Sequence, residues 1–470
     1  MISGAREGRT RRLLALSLVG VLALGATACG RSGDESGNNE EEQPTPSDDG
    51  GGSGGSGLDA GEFGDLGVVC QDGDASGATD TGVTDDEIRI GTITNKGADV
   101  RPGLNQEMYD SAAAFVDWCN EHGGINGRDL VLDDLDAKLN EYGQRIAEAC
   151  EGTFALVGGG AIFDNGDAGQ RVDCGLANIP GFVVTPEARV GELQVQPLPN
   201  PVYSFAVQSY NAMKKLHPDA TKYGILWVDL EGVTTVHQQV TEAVEKVGFD
   251  VVYDATYAPI NENGWRGFIQ SMKEKGVQGF ELVGEPENMT ALLNAMQTED
   301  WYPEFIVMQP NMYDAKFEEE AKAAAGGDIY SRITFPMFDM DGEDAPGMGD
   351  YQALMEQYRP DGKYPALLGA QALSGLLLFA TAASECGSDL TRECLLENAG
   401  SVEDWTAGGL HSPTTPGNTL APECGIMVKF TTDGFAYDEE ATDPNEGVFN
   451  CSADNVIELT DDYGVPKPTE

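Results

Sequence analysis

The chain has 470 residues, 40% of them hydrophobic, so it is long enough for two domains with buried cores. Its 79 acidic and 28 basic residues give a formal net charge of −51, which excludes nucleic-acid binding because contact with phosphates requires a basic surface. No cysteines have C-x-x-C spacing, and the four histidines lack zinc-like spacing, so we expect no metal site and no other cofactor.

The first 28 residues have the organisation of an export signal. Arginines precede an apolar run at 13–24, and Ala26-Thr27-Ala28 lies directly before Cys29. The run is too short to span a bilayer, and A-x-A is an ordinary cleavage site. The following cysteine resembles that of a bacterial lipobox, which implies lipid on Cys29 and attachment to the outer face of the cytoplasmic membrane. Arg11-Arg12 leaves the export route open.

Residues 29–66 are rich in Gly, Ser, Asp, Glu and Pro and have almost no large apolar side chains. A segment of this composition cannot bury a core. We therefore predict a disordered tether between the lipid and the folded body.

From residue 87 onward, predicted strands and helices alternate, which is typical of an α/β fold with parallel sheets. In the first series the predicted strands are 88–93, 129–132, 154–157 and 182–185. The predicted helices are 105–121, 141–150 and one that Asp164 or Asn165 caps and that ends near Cys174.

Three glycines at 158–160 follow the third of these strands. Loops at the carboxyl ends of parallel strands are where open α/β sheets bind ligands, so this loop is a candidate site. Phosphate binding has little support, because G-x-G-x-x-G is absent and Asp164 and Asp167 would repel an anion. A tight turn without a ligand is left open as the alternative.

A second series begins near residue 202. Its predicted strands are 223–228, 250–253, 279–283 and 305–308, and its predicted helices are 234–247, 265–275, 288–299 and 314–325. Residues 331–338 are predicted to cross back to the first lobe, helices follow at 351–358 and 366–383, and strands at 425–431 and 434–437 close the chain. The two series predict a lobe I of residues 67–201 and 337–415 and a lobe II of residues 202–336 and 416–470.

The predicted helix at 366–383 is almost entirely apolar and is long enough to raise the question of a membrane span. Gln371, Ser374 and Gly375 interrupt it, and no positively charged flank follows. We therefore predict a helix buried against a sheet.

Without Cys29, eight cysteines remain, and an even number in an exported chain suits four disulfides. Eight cysteines allow roughly a hundred pairings. Proximity in the predicted fold suggests one hypothesis. One pair flanks a short turn, a second flanks a hairpin region, and a third lies at the ends of successive helices. The fourth pair consists of the two cysteines that remain. These pairs are Cys386–Cys394, Cys424–Cys451, Cys150–Cys174 and Cys70–Cys119.

Three stretches carry a family likeness: GVTDDEIRIG at 82–91, GGINGR at 123–128, and DAK at 136–138. They resemble the first lobe of solute-binding lipoproteins of the branched-chain amino-acid type, which serve ABC importers. The likeness covers about residues 82–440, and GGINGR is its most specific motif. It implies the type I periplasmic binding protein fold, an α/β fold with two Rossmann-like lobes joined by three crossovers and closing on a ligand like a hinge.

The resemblance also implies a ligand site between the lobes. In the family, hydroxyls and backbone amides after two first-lobe strands hold the ligand carboxylate, and an acid after a second-lobe strand holds the ammonium. Thr185 matches a hydroxyl position, so we expect Thr185→Val to weaken binding without unfolding the protein. The ligand-binding candidates are Asn95, Gly160, Ala161, Phe163, Thr185, Asp229, Glu285, Asn311 and Tyr313, and Trp227 and Phe338 are further aromatic candidates for the cleft.

The resemblance implies a protein without catalytic residues that captures a small polar solute, such as an amino acid or an amide. The solute would pass to separate permease and ATPase subunits in the membrane, and we expect a monomer. One alternative is a ligand-sensing lipoprotein with a separate signalling partner. Another is an extracellular hydrolase with paired carboxylates, although G-x-S-x-G is absent and histidine is scarce.

Overall fold

The structure, a computed structural model, describes residues 57–165, 168–259, 262–340, 342 and 345–467. The predicted signal peptide, Cys29 and the tether up to residue 56 lie outside these residues. The described strands, in chain order, are β1 Glu87–Thr94, β2 Asp129–Asp136, β3 Ala155–Val157, β4 Ala177–Ile179, β5 Ser204–Ala206, β6 Lys222–Val228, β7 Asp250–Tyr257, β8 Gly279–Val283, β9 Phe305–Met308, β10 Asp328–Ile333, β11 Cys424–Thr431, β12 Gly434–Tyr437, β13 Asn450–Cys451 and β14 Val456–Glu458.

The described α-helices are α1 Gln106–Glu121, α2 Tyr142–Gly152, α3 Ala168–Asp173, α4 Pro186–Arg189, α5 Gln208–Leu216, α6 Thr234–Val247, α7 Trp265–Lys275, α8 Pro286–Thr298, α9 Ala315–Ala321, α10 Pro346–Tyr358, α11 Leu367–Cys386, α12 Arg392–Gly400 and α13 Glu439–Thr442. Most of the predicted elements are present, with ends that differ from the prediction by at most five residues. The local pattern of apolar residues is therefore a good guide to element type in this chain.

Four parallel strands form the first sheet, in the order β2-β1-β3-β4. Helix α1 presents Met108, Ala112 and Phe115, all fully buried, at spacings of three and four residues, and this periodicity lets the helix cover the sheet with one face. Helix α11 packs beside α1. We call this sheet and the helices packed on it the first lobe.

The second sheet has the order β12-β11-β10-β9-β8-β6-β7, and β13 adds to β11. Strands β6 to β10 are parallel, whereas β11 and β12 run antiparallel to their neighbours. We call this sheet and its helices the second lobe. The chain passes between the lobes three times, after β4, after β10 and after α12, as the resemblance implies. The predicted residue limits of the two lobes remain a prediction.

The prediction from sequence is wrong for one strand and for the start of one crossover. The fourth strand of the first sheet is Ala177–Ile179, paired with β3, and not 182–185. Gly175 adopts φ +69° and ends the preceding helix early, and Pro180, which has no N–H to donate, follows the strand. The segment predicted to cross over at 331–338 begins inside β10, so the crossing starts only after Ile333.

Helix α11 is buried, as predicted. In the described part of the chain, it forms the one helix segment that is long and apolar enough to cross a membrane, Leu367–Asp389, with a mean hydropathy of 1.6. However, 78% of the 18-residue stretch that gives this hydropathy is buried inside the protein. Its apolar surface is therefore used to pack the first lobe.

The last part of the predicted tether is folded, which corrects the expectation for residues 57–66. These residues form two short 3₁₀ turns, Gly57–Ala60 and Gly64–Leu66. Leu58 and Phe63 are buried, and the Trp118 indole donates a hydrogen bond of 2.9 Å to the Leu58 carbonyl oxygen. A few large side chains are enough to fix a segment when α1 supplies a surface for them.

The structure contains four disulfides with the pairing proposed from sequence. They are Cys70–Cys119, Cys150–Cys174, Cys386–Cys394 and Cys424–Cys451. The first of them ties the segment before β1 to the end of α1. The other three join neighbouring elements within 27 residues of each other in sequence.

Candidate functional site

A cavity of about 980 Å³ lies between the lobes. Its first-lobe wall comes from the loop after β1 and from residues 181–184 after β4, and its second-lobe wall comes from the ends of β6, β8 and β9 and the loops that follow them. This is the edge of parallel sheets where α/β proteins bind ligands. The volume is at the upper end of the ~300–1,000 Å³ range of small-molecule pockets.

Apolar side chains form most of the wall. They come from both lobes and include Leu104, Phe182, Val183, Phe205, Val233 and Met308. Such a wall gains free energy when it contacts an apolar solute, by roughly 25 cal/mol for each Å² of apolar surface removed from water. The wall therefore favours a ligand with a substantial apolar part.

Two acids of the second lobe face one base of the first lobe at the mouth of the cavity. The Arg101 guanidinium donates hydrogen bonds to Glu285, through Nη1, and to Glu287, through Nη2 at 3.0 Å. Burial lowers the pKa of Arg101, but the two glutamates outweigh this effect and raise it overall. This contact joins the lobes across the cavity opening.

Glu281 lies on β8, at the buried end of the cavity, and is 1% exposed. Its carboxylate accepts hydrogen bonds from the hydroxyls of Tyr210, at 2.8 Å, and Tyr223, at 3.1 Å, and from the Gln309 amide. Burial raises the pKa of Glu281 to about 7, although the three donors oppose the shift. This carboxyl group therefore titrates near neutral pH.

A buried arginine, Arg189, and a partly buried one, Arg332, also line the cavity. Arg189, on α4, donates from Nη1 to the Gln239 side chain of the second lobe at 2.6 Å. Arg332, on β10, donates to the Gln208 side chain and to two backbone carbonyls. Burial lowers the pKa of each guanidinium to about 10, so both remain charged at neutral pH.

Three of the predicted ligand-binding residues line this cavity: Glu285, Asn311 and Tyr313. Asn311 donates from its amide to the Gly284 carbonyl at 3.0 Å, which fixes the loop after β9 against the loop after β8. The Tyr313 ring stacks on Phe338 with centroids 4.6 Å apart, so packing holds both aromatic candidates in place.

The structure does not bring Asn95, Gly160 or Ala161 to this cavity. All three are buried; the Asn95 side chain accepts a hydrogen bond from the Ile162 N–H, and the Gly160 N–H donates to Ile93. A Cβ at position 160 would lie 2.5 Å from the Phe182 ring, so close packing accounts for this glycine. Gly160 and Ala161 line a separate pocket of only about 20 Å³.

The remaining candidates have other surroundings as well. Phe163 lies near Gly232, where a Cβ would be 3.5 Å from its ring. Asp229 is exposed, and its N–H donates to the Tyr257 carbonyl. Trp227 stacks on His237, with ring centroids 4.3 Å apart. None of these three residues belongs to the lining of the cavity.

Thr185 bonds to an acid of its own lobe. Its hydroxyl and its N–H both donate to Asp164, at 2.6 and 2.9 Å, and the Val184 N–H donates to the same carboxylate. Asp164 therefore accepts bonds from the 184–185 backbone. Burial raises the pKa of Asp164, and these bonds oppose the rise.

The structure therefore changes the expected effect of Thr185→Val. Because the variant removes one donor from a buried carboxylate, we expect it to lower the free energy of unfolding by about 2 kcal/mol. Urea unfolding of Thr185→Val and Thr298→Val measures this, since Thr298 is exposed and bonds only within α8. A Thr185→Val variant as stable as Thr298→Val contradicts the expectation.

Sequence reasoning missed Arg101, Arg189, Glu281 and Arg332. For two of them a signal was present: Glu281 interrupts the apolar strand GFELV, and Arg332 interrupts the buried strand DIYSRI. A charged residue inside a short buried strand needs partners or a function, because burial of a lone charge is costly. The charged residue in each strand was therefore a signal in the sequence for a functional or paired group.

Comparisons with known proteins give the family and the fold. The sequence model of the family described as "Periplasmic binding protein" matches residues 87–434. No curated protein matches. Among solved structures, one that is similar is a fatty acid ABC transporter substrate-binding protein from Thermomonospora curvata, with 16% identity, a TM-score of 0.64, and coverage of 81% of this chain and 99% of that chain.

Two further similar structures are amino-acid-binding proteins by title. LivJ, the branched-chain amino acid transporter substrate binding protein from Streptococcus pneumoniae, is 16% identical, with a TM-score of 0.61 and coverage of 75% of this chain and 99% of that chain. The leucine-, isoleucine-, valine-, threonine- and alanine-binding protein from Brucella ovis is 14% identical, with a TM-score of 0.61 and coverage of 76% and 97%. These likenesses show the type I periplasmic binding protein fold, as the sequence predicts.

Proposed function

The chain belongs to the periplasmic binding protein family, and from this premise we propose that it is the solute-binding protein of an ABC importer. It works outside the cytoplasmic membrane, to whose outer face a lipid on Cys29 anchors it. It captures a solute by closure of the two lobes and passes it to separate permease and ATPase subunits. The protein itself acts as a monomer and catalyses no reaction.

One observation carries the proposal: a cavity of ligand size lies between the lobes, with walls from both. A solute in this position contacts both lobes only when they are together, so its binding free energy favours the closed arrangement. The loops at the mouth are those that would move apart on opening, because Arg101 of one lobe and Glu285 of the other meet there.

The solute is the finer part of the proposal. The sequence predicts a small polar solute such as an amino acid or an amide, and the titles of the similar structures name branched-chain amino acids and a fatty acid. An importer receptor for one of these classes fits the apolar wall and the few polar groups of the cavity. Uptake, and not sensing, is proposed because two of the similar structures are substrate-binding proteins of transporters by title.

A thermal-shift screen of the mature protein tests this function. The library should contain amino acids, amides, and short- and medium-chain carboxylic acids. A solute at 100 times its dissociation constant stabilises the protein by about 2.7 kcal/mol, which raises the unfolding temperature measurably. Small-angle scattering of the protein with the best-binding solute should show a more compact particle than the protein alone. Binding without such a change would argue against hinge closure. If no solute binds, the result would argue against solute capture.

Arg101→Ala should weaken solute binding about three- to tenfold, because it removes both ion pairs at the mouth while leaving the wall intact. Stability should change by less than about 1 kcal/mol, since the pairs are partly exposed. Calorimetric titration of the solute from the screen measures the affinity. Arg266→Ala is the matched control, because its side chain is 72% exposed and it pairs with Glu299 away from the cavity.

Unchanged affinity in Arg101→Ala would show that closure does not depend on this contact. An equal loss in Arg266→Ala would point to the net charge of the protein and not to the mouth. Either result would leave the cavity in place and remove Arg101 from the closing contact.

A further inference from the structure

The charges around the cavity are not equally compensated. Each buried or partly buried acid on the wall has donors of its own. Glu285 and Glu287 pair with Arg101, Glu107 pairs with Lys363 at 2.9 Å, and Glu281 accepts bonds from two tyrosines and a glutamine. Glu319 and Glu320 are exposed. The negative charges of the wall therefore need no ligand.

Arg332 lacks such compensation. Its Nε donates to the Gln208 side chain at 3.1 Å, and its Nη2 donates to the carbonyls of Pro422, at 2.8 Å, and Cys424, at 2.7 Å. All three acceptors are neutral. No carboxylate of a described residue lies within 4.0 Å of the guanidinium, and its Nη1 donates to no group in the described ranges.

The nearest acid on the same face of the sheet does not fill this role. In the strand register, Glu281 lies beside Val307 and Val307 beside Tyr330, so Arg332 is two strands and two residues away from Glu281. Arg189 differs from Arg332, because the charge of Asp164 raises its pKa against the effect of burial. Among the described residues, Arg332 is thus a partly buried cation of the second-lobe wall that has no charged partner.

The surroundings hold the Arg332 side chain in one orientation. The two bonds from Nη2 and the bond from Nε fix the plane of the guanidinium. Gly425 makes room for it, because a Cβ there would lie 2.8 Å from Arg332 Nε and 2.6 Å from the Gln208 oxygen. A guanidinium held in this way still has the two N–H groups of Nη1 available, and these can donate charge-assisted hydrogen bonds to a carboxylate.

We propose that Arg332 binds the carboxylate of the solute, and that the solute is a carboxylic acid with a large apolar body and no ammonium group. The inference rests on the proposed function and names its substrate class. The apolar wall supplies the binding free energy of the body, and Arg332 supplies the selection for an anion. A ligand carboxylate in turn offsets the cost of a partly buried cation that has no charged partner.

An α-amino acid fits this cavity less well. Its ammonium would need a free acid near Arg332, and Glu281 already accepts three hydrogen bonds. A single amino acid would also leave most of a cavity of about 980 Å³ unfilled. A longer apolar chain contacts more of the wall at about 0.8 kcal/mol for each buried methylene group.

Calorimetric titration of the full mature protein with three probes of one chain length tests the charge selection. The probes are decanoate, decanamide and decylamine, which share the apolar body and differ in charge, and leucine is the fourth titrant. We expect decanoate to bind about ten- to a hundredfold more tightly than decanamide, with decylamine and leucine weaker still. Decanamide or leucine binding as tightly as decanoate overturns the inference.

Arg332→Gln assigns the selection to this side chain. It should bind decanoate and decanamide with affinities that agree within about threefold, while Arg332→Lys keeps part of the preference. Arg266→Gln, which loses the same charge at an exposed position, should keep the full preference. A preference for decanoate that survives in Arg332→Gln overturns the assignment. If Arg332→Gln does not fold, Arg332→Lys decides instead. A preference in Arg332→Lys as large as that of Arg266→Gln would show that Arg332 is not the anchor of the carboxylate.

The two proposals fail in different ways. If the library screen finds a neutral or cationic solute and decanoate does not bind, the carboxylate inference is overturned and solute capture stands. If no solute of the library binds and decanoate does not bind, solute capture fails as well. Binding of decanoate with the predicted preference supports both.

Discussion

Replacement of the Cys70–Cys119 disulfide, in the double variant Cys70→Ser and Cys119→Ser, should lower the free energy of unfolding by about 4 kcal/mol. The two cysteines are 49 residues apart, and the loss of loop-closure entropy in the unfolded chain gives this magnitude. The bond is also the covalent link between the segment at 57–71 and helix α1. Of the two disulfides in the first half of the chain, we therefore expect this one to contribute more to the free energy of unfolding.

Loss of this disulfide should first loosen the segment at 57–71 and not the rest of the protein. Phe63 and Trp118 have ring centroids 6.5 Å apart, and the Asp65 N–H donates to the Gly408 carbonyl, so non-covalent contacts still hold the segment after the bond is removed. Without the covalent link, these contacts open together more often. Hydrogen exchange of residues 57–70 should accelerate before any change in the second lobe.

Urea unfolding of the variant and of a double variant at Cys386 and Cys394 measures the difference. The control pair spans only 8 residues, so the same entropy argument predicts a loss of about 2.5 kcal/mol. Equal losses in the two variants would contradict the loop-length argument. No loss at Cys70 and Cys119 would show that the contacts of Phe63 alone fix the segment.

Glu281→Gln should remove a pH dependence of stability worth about 3 kcal/mol. In the folded protein, burial raises the pKa of Glu281 to about 7, whereas the unfolded value is near 4.5. The folded state therefore holds a proton that the unfolded state has released, and stability falls as pH rises from about 4.5 through 7. The variant has no ionisable group there, so its stability relative to the parent should rise over this window.

Urea unfolding at pH 5, 6, 7 and 8 tests the sign as well as the size. Glu242→Gln is the matched control, because Glu242 shows the opposite shift: burial opposes it, but hydrogen bonds from Tyr463 and Lys246 lower the pKa of Glu242 to about 2. Its contribution is lost only as pH falls from about 4.5 towards 2, so between pH 5 and 8 this variant should differ from the parent by a constant amount. A constant offset for Glu281→Gln would contradict the prediction.

Much of the fold can be predicted from this sequence because its signals are local. The run of Thr234–Val247 alternates apolar and polar residues with helical spacing, and the structure has a helix over these same residues. A short, mostly apolar run such as Gly279–Val283 that lies between two predicted helices is predicted to be a strand, and the structure has a strand there. The disulfide hypothesis also followed from this order of elements, since neighbours in an α/β sheet are mostly neighbours in sequence.

The errors arose where local patterns compete. Residues 177–179 and 182–185 are both apolar and short, and only pairing with β3 decides that the first run is the strand. Leu58 and Phe63 lie in a segment of tether-like composition, yet α1 and α10 provide a surface that buries them. Composition describes an average, whereas burial depends on what the rest of the chain brings to those particular side chains.

The sequence by itself determined the α/β class, the two series of strands and helices, and the disulfide pairs, because these depend on spacing along the chain. Only the tertiary structure decided which polar groups face the cavity. The neutral acceptors that hold Arg332 lie 124, 90 and 92 residues away from it, and the tyrosines that bond Glu281 lie 71 and 58 residues away. Whether a buried charge is compensated depends on such distant partners, and no local pattern records them.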